Sequence, residues 1–448
     1  MKKGILSVAQ KLNIDKSIFW SIVNKGFGVF RAPITIFFIV KYLSTAEQGT
    51  WYTFTSLQAL TMLADLGFAS ITTQFISHEY AHLRFEGERI AGEDSRLDRF
   101  IAFIYFSVKF YLMVSLAAIV ILLGAGIWYF AKVDTHLLYV WIAYSFIGGI
   151  GLLTAMFQAI YQGLNKVKEI QINILFNSFF VTFITCLTLF LGFKIWALVL
   201  GSFLGTLLAL IGLFGMGKTF WSQVYSYKIK KEYNFLKETF GLQIRYAVSF
   251  VATYLIGFLY VPAIYKYVSA TAAGQVGLLI SVMTALSSVA YSWTQTKVPT
   301  FNILVAQKKI NELDRSIKKA TLQSALVFSS LSIVLLVAIS VMPFTFLSQY
   351  AARLPDTNII ILYIFSQFFL ILFNSLTLYL RAFKKEPLMG VQVLSSILLL
   401  LSVGFILKGG LGLHTFMFSV NLYTWVIVMP LAYFVFQKNR KLLIQNPI

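Results

Sequence analysis

Apolar runs recur from one end of this chain to the other, each long enough to cross the roughly 30 Å hydrocarbon core of a bilayer. They fall near residues 18–40, 50–76, 101–127, 137–161, 171–192, 196–215, 241–264, 274–295, 322–346, 358–380, 388–407 and 412–435. In hydrocarbon every backbone amide needs an internal partner, so runs of this length fold as helices. The spacing predicts an all-α polytopic membrane protein with about twelve transmembrane helices. Composition leaves little room for anything else: 12% of residues are charged against 58% hydrophobic, too few to clothe a soluble domain.

Lys and Arg set the orientation. The connections alternate between rich and poor, and the rich set, which includes both chain ends, holds 27 of the 37 basic residues. The alternate connections hold Lys41, Lys132, Lys194, Lys266, Arg353 and Lys408. This places both termini of an inner-membrane chain in the cytoplasm. It also accounts for the formal charge of +20 without nucleic acid, because the basic loops face anionic lipid. The N-terminus has basic residues but no short apolar core ending in a cleavage site, and reads as a retained cytoplasmic segment.

An internal repeat supports an even number of spans. Lys41-Tyr42-Leu43-Ser44 precedes Gly49 after the first span, and Lys266-Tyr267-Val268-Ser269 precedes Gly274 after the seventh at the same spacing. Tyr161 to Glu169 resembles Tyr379 to Glu386 between the corresponding later spans. Two six-helix halves in the same orientation fit both matches, a plan that puts a substrate site between halves. The expected divisions are a cytoplasmic segment 1–17, a first half 18–215, a basic cytoplasmic linker 216–240, a second half 241–436 and a tail 437–448.

Five charges fall inside the spans: Lys25, Arg31, Lys109, Arg245 and Asp65. A charge at the bilayer centre costs about 2.5–3.5 kcal/mol on insertion scales, so such residues face a cavity or a partner. Arg245 lies about one turn inside its span and Lys25 and Lys109 about two, within snorkelling reach of the headgroups. Arg31 and Asp65 are at similar depth on neighbouring helices, where a structural ion pair and a substrate role are both open. Under either reading the free charge is positive, which implies an anionic substrate. Gly26, Gly28 and Pro33 flank these residues on the first helix, and Pro262 interrupts the seventh. Tryptophans and tyrosines near span ends, among them Trp51, Trp128, Trp141 and Trp196, read as interfacial belts.

The motifs of direct ATP use, zinc hydrolysis and serine hydrolysis are absent, and the four histidines, His78, His82, His136 and His414, sit in loops or at span ends. The single cysteine, Cys186, lies in an apolar run. Every external connection is short. The expectation is a transporter, not an enzyme, with no cofactor and no metal.

Residues 42–77 run from Tyr42 through Gly49 and an aromatic-rich stretch into Asp65-Leu66-Gly67-Phe68. This pattern resembles the end of the first helix and the second helix of bacterial polysaccharide flippases. Residues 297–320 are similar to the loop between that family's eighth and ninth helices. These proteins belong to the multidrug/oligosaccharidyl-lipid/polysaccharide exporter superfamily, so the resemblance implies the two-half fold of the MATE-like exporters. It further implies translocation of an undecaprenyl-pyrophosphate-linked glycan, such as an O-antigen repeat unit of lipopolysaccharide, alongside other polysaccharide-assembly proteins of the membrane. Lys25, Arg31, Lys109 and Arg245 would then neutralise pyrophosphate or acidic sugars, while Asp65 anchors Arg31 or carries a coupling proton. A cationic-drug exporter of the same superfamily would need carboxylates in the cavity. A membrane glycosyltransferase or polymerase would need a large external loop with catalytic charges.

Overall fold

The structure, a computed structural model, describes residues 16–130, 135–295, 297–344, 348–383 and 386–445. Residues 1–15 of the cytoplasmic segment expected over 1–17, the connection holding Lys132 and Asp134, and Lys384 and Lys385 lie outside them. Nine described helices are long and apolar enough to cross a membrane, or eleven if each of two bent pairs is one span. Helix α1 (Lys16–Tyr42), with Lys25 and Arg31 inside it, is the remaining predicted span and is 27 residues long.

The helices follow the predicted runs closely. After α1 come α2 (Thr45–Gln58), α3 (Thr61–Asp65) and α4 (Phe68–Tyr80), which together form the second span. Spans three to six are α5 (Asp94–Phe130), α6 (Thr135–Gly163), α7 (Val167–Phe190) and α8 (Trp196–Gly215). A short helix α9 (Lys218–Ser226) precedes α10 (Phe235–Phe258) and α11 (Tyr260–Tyr267), the seventh span. The second half continues with α12 (Ala270–Gln295), α13 (Val298–Ala306), α14 (Ile310–Val341) and α15 (Thr357–Ala382). It closes with α16 (Met389–Ser402), α17 (Gly412–Tyr423) and α18 (Met429–Gln445), the last two joined by a π-helical turn, Thr424–Val428. A tight turn joins α7 to α8: Gly192 and Lys194 have φ of +84° and +51°, and the Phe193 amide reaches back to the Thr188 carbonyl at 3.0 Å.

Two spans are broken, and each break has a local cause. The second bends by 44° where Leu66 and Gly67 enter the left-handed region, with φ of +46° and +77°. The seventh bends by 50° between α10 and α11. There Pro262 has no amide proton for the carbonyl of residue 258, one turn back. The connections are more ordered than their charge implied. Residues 77–99, one of the connections rich in basic residues, contain an antiparallel hairpin of β1 (Leu83–Glu86) and β2 (Arg89–Gly92), turning at Gly87 with φ +66°. The linker 216–240 contains α9, and the loop 297–320 contains α13 and the first turns of α14.

The chain forms two compact units whose limits differ from the expected halves. One comprises residues 1–42 and 57–251, the other 43–56 and 252–448. In the first, Phe68, Phe103, Tyr111, Tyr161, Phe220 and Phe235 share one core. Phe235, on α10, lies 5.2–5.6 Å from the rings of Phe75, Phe103 and Phe106, which draws the start of the seventh span into this unit. Its basic side is laced by polar contacts. Arg99 bridges Glu79 (3.1 Å) and Glu238 (2.9 Å). Buried Asp98 accepts the amides of Lys230 (2.7 Å) and Lys231 (3.2 Å) and the Tyr233 hydroxyl. Lys230 also pairs with Asp94 at 2.8 Å, holding that carboxyl below its ordinary range.

In the second unit, α2 crosses α12 at the repeated glycines. Ser44 and Ser269 cap the two helices in the same way, Ser44 accepting the Glu47 amide at 3.2 Å and Ser269 the Ala272 amide at 3.0 Å. Five residues past each serine stands the glycine at which the backbones meet. A Cβ on Gly49 would stand 1.8 Å from the Ala270 carbonyl oxygen, and one on Gly274 2.3 Å from that of Thr45. Gln48, fully buried, donates to the Gly274 carbonyl at 2.8 Å. The repeat motif is therefore a serine cap and a contact glycine, and the crossing draws residues 43–56 into this unit. The second motif pair is matched as well. Tyr161 donates to the Leu213 carbonyl on α8 at 2.8 Å, and Tyr379 packs on Phe436 of α18 at 5.1 Å. Each tyrosine thus packs against the last span of its own half.

Candidate functional site

Helices α1 and α7 pair lengthwise. Asn24 donates to Gln171 at 3.0 Å, Phe27 meets Phe179 at 6.2 Å and Tyr42 meets Phe190 at 6.0 Å. On α1, residues 27, 31, 34 and 38 form one stripe, and on α7 residues 179, 183, 187 and 190 form its counterpart. Together they line a groove of about 390 Å³. The walls are mostly phenylalanine and aliphatic side chains, with Thr182 and Cys186 among them, and Arg31, half-buried, is the one charged residue on them. Among the described residues no carboxylate pairs with it. A guanidinium on an apolar wall without a counter-ion is expensive, and an anion relieves that cost.

Asp65 does not pair with Arg31, so the anchoring role expected for it is corrected. It is buried, and the Tyr111 hydroxyl of α5 donates to its Oδ1 at 2.8 Å. The backbone N–H groups of Gly67 and Ala69, at the start of α4, face the same carboxylate across the Leu66–Gly67 break. The hydrogen bond that holds Asp65 comes from the next span.

Lys109 stands on the exposed face of α5, in line with Leu112, Met113, Leu116 and Val120, while Tyr111 and Ser115 turn inward. Lys25 and Arg245 fall within α1 and α10, but their side chains lie outside the described residues. Of the predicted basic set, then, Arg31 has a defined groove and Lys109 a defined face on another helix.

Sequence reasoning missed a polar pocket in the second unit. Next to the α10–α11 bend, Tyr260 meets Tyr363, Ser366 and Gln367 of α15 and Tyr423 and Thr424 at the π-helical turn. Gln367 donates to the Tyr363 hydroxyl at 2.8 Å, and Ser366 to Asn421 at 3.2 Å. A cavity of about 200 Å³ adjoins it, sharing Ile256, Phe369, Leu370 and Ser395. All these groups are neutral, so no charge marked them in the sequence. The usable signal was the Pro262 break, since π turns and broken helices gather at such pockets.

Two bundles of membrane-crossing helices, with the second and seventh spans broken, define an all-α polytopic membrane protein. The chain is similar to the inward-facing conformation of a multidrug resistance MATE family transporter of the MOP superfamily. That match has a TM-score of 0.65 at 10% identity and covers 97% of this chain and 100% of the other. It is also similar to the lipid II flippase MurJ in its inward closed conformation, with a TM-score of 0.60 at 15% identity over 95% of this chain and 87% of that one. At these identities the likeness is one of fold, and this chain has the fold of MOP-superfamily transporters. No protein-family description and no curated protein matches the sequence.

Proposed function

We propose that this protein is a flippase that moves an undecaprenyl-pyrophosphate-linked oligosaccharide, such as an O-antigen-like repeat unit, from the cytoplasmic to the outer leaflet of the bacterial inner membrane by alternating access. The observation that carries the proposal is the sign of the charge inside the spans. Arg31 lines an apolar groove with no carboxylate on it, and the one clear intramembrane acid, Asp65, is occupied by Tyr111 and the start of α4. By sequence, Lys25, Lys109 and Arg245 keep the sign of the remaining intramembrane charge positive. A pyrophosphate with an isoprenoid tail matches a guanidinium set among phenylalanines, and an inside-negative potential favours its outward movement by about 2.3 kcal/mol per charge per 100 mV. The fold shared with a lipid II flippase and with a multidrug transporter leaves both cargo classes within reach of the architecture. The basic interior favours the lipid-linked anion over a cationic drug. The short external connections disfavour a polymerase or glycosyltransferase.

Deletion of the gene and complementation test this. The proposal expects surface polysaccharide to disappear on deletion, to return with the wild-type chain, and to remain absent with Arg31→Ala at normal protein levels. Unchanged polysaccharide together with new sensitivity to cationic drugs would assign the fold to drug export.

A further inference from the structure

Helix α9 lies at the end of α8, on the side that the Lys and Arg distribution assigns to the cytoplasm. Its nine residues divide among three faces. Phe220 and Val224 are buried in the core of their unit. Thr219 and Gln223 turn to the β-hairpin: Gln223 accepts the Ile90 amide at 2.8 Å and donates to its carbonyl at 2.7 Å, and Thr219 donates to Glu88. Pinned on both sides, α9 presents Lys218, Ser222 and Tyr225 on its remaining face, at positions i, i+4 and i+7.

These three and Trp221 form one side of a groove of about 450 Å³. Its opposite walls are Ile104, Tyr105 and Val108 of α5 and Phe214 of α8, so an almost wholly apolar slot lies beneath an ammonium, a hydroxyl and a phenol. Tyr225 is 86% exposed and Phe214 53% exposed, so neither the polar rim nor the apolar wall is covered by the chain's own packing. Among the described residues no carboxylate pairs with Lys218. Because α5 and α8 cross the membrane, the slot's walls continue into hydrocarbon, and its donors stand at headgroup level.

We propose that this groove is a binding site for an anionic phospholipid of the cytoplasmic leaflet. One acyl chain lies against Ile104, Val108 and Phe214, the phosphate sits on the Lys218 ammonium, and Ser222 and Tyr225 donate further hydrogen bonds to the headgroup. The charge of Lys218 selects an anionic over a zwitterionic headgroup. Bound there, the lipid fixes α9 and, through Gln223, the hairpin. The proposal stands independently of the cargo, since none of these residues belongs to the intramembrane charge set.

Native mass spectrometry on the full-length protein, offered phosphatidylglycerol or phosphatidylcholine of the same chain length, tests it. The wild type should retain phosphatidylglycerol preferentially. Lys218→Ala should weaken that retention about fivefold, the worth of one lysine facing anionic lipid. Lys218→Arg should preserve it, and Lys228→Ala, in the exposed segment beyond α9, should change it little. Equal retention of the two lipids would overturn the proposal, as would wild-type retention by Lys218→Ala. Displacement of phosphatidylglycerol by an isoprenyl phosphate at equal concentration would give the groove to that lipid instead, and would equally overturn it.

Discussion

Gly49 and Gly274 meet where α2 crosses α12, each standing where a side chain on the other would have to go: a Cβ on Gly274 would lie 2.8 Å from the Gly49 amide nitrogen, and one on Gly49 3.0 Å from that of Gly274. The contact is reciprocal: each copy of the motif leaves room for the other's backbone. Tyr52 extends it, its ring lying over Gly277 where a Cβ would be 2.5 Å away.

Gly49→Ala and Gly274→Ala should therefore each lower stability by about 1–3 kcal/mol, the range for overpacking a close contact, because the obstructing atoms are backbone. Thermal unfolding of the purified protein in detergent measures this. A control at Gly390, which has open space around its Cα, should leave the midpoint unchanged, and equal effects at all three sites would contradict the crossing.

Asp65 should behave as a structural hydrogen-bond acceptor rather than as a proton carrier. Asp65→Leu leaves the buried Tyr111 hydroxyl without its acceptor and should cost about 1–3 kcal/mol. Asp65→Asn keeps an acceptor and should retain transport, with its pH profile intact. A well-folded Asn variant without transport would return the coupling proton to Asp65.

Asp98 pins the linker between the halves through the Lys230 and Lys231 amides. Hydrogen bonds to a charged group contribute about 1.5–3 kcal/mol each, so Asp98→Ala should speed exchange of those amides by at least about tenfold. Hydrogen–deuterium exchange over residues 227–234 reads this directly. Unchanged protection would mean that other contacts hold the linker.

Much of this architecture was legible in the sequence because the bilayer imposes it. Run length located the apolar part of each helix but not its polar extension: α5 and α14 begin 7 and 12 residues before their runs, and α18 ends 10 residues after its own. Lys41-Tyr42-Leu43-Ser44 with its partner at 266–269 exposed a repeat that proves to be a cap and a contact glycine. What escaped depends on pairings across long separations or on local backbone. Asp65 finds Tyr111 on the next span rather than Arg31, because the break at Leu66–Gly67 aims its carboxylate at α4. That break was visible as Gly67 directly after Asp65-Leu66, a turn signal inside an apolar run. The hairpin at 83–92 hid in a charged connection whose alternation, with Leu83 and Ile90 facing the core, was read only as charge. The tyrosine and amide pocket at Tyr260, Tyr363 and Gln367 carries no charge, and neutral polar residues are common on packed membrane helices.

The central claim is that Arg31 serves an anionic, lipid-linked cargo. Its most direct test is a translocation assay in proteoliposomes loaded with a fluorescent undecaprenyl-pyrophosphate oligosaccharide, comparing wild type, Arg31→Lys and Arg31→Glu. The account predicts that the wild type moves the labelled lipid between leaflets and that Arg31→Lys keeps part of that rate. Arg31→Glu should lose at least about tenfold, equivalent to about 1.4 kcal/mol. A wild-type protein that leaves the labelled lipid in place while exporting a cationic dye, or an Arg31→Glu variant as fast as wild type, would contradict it.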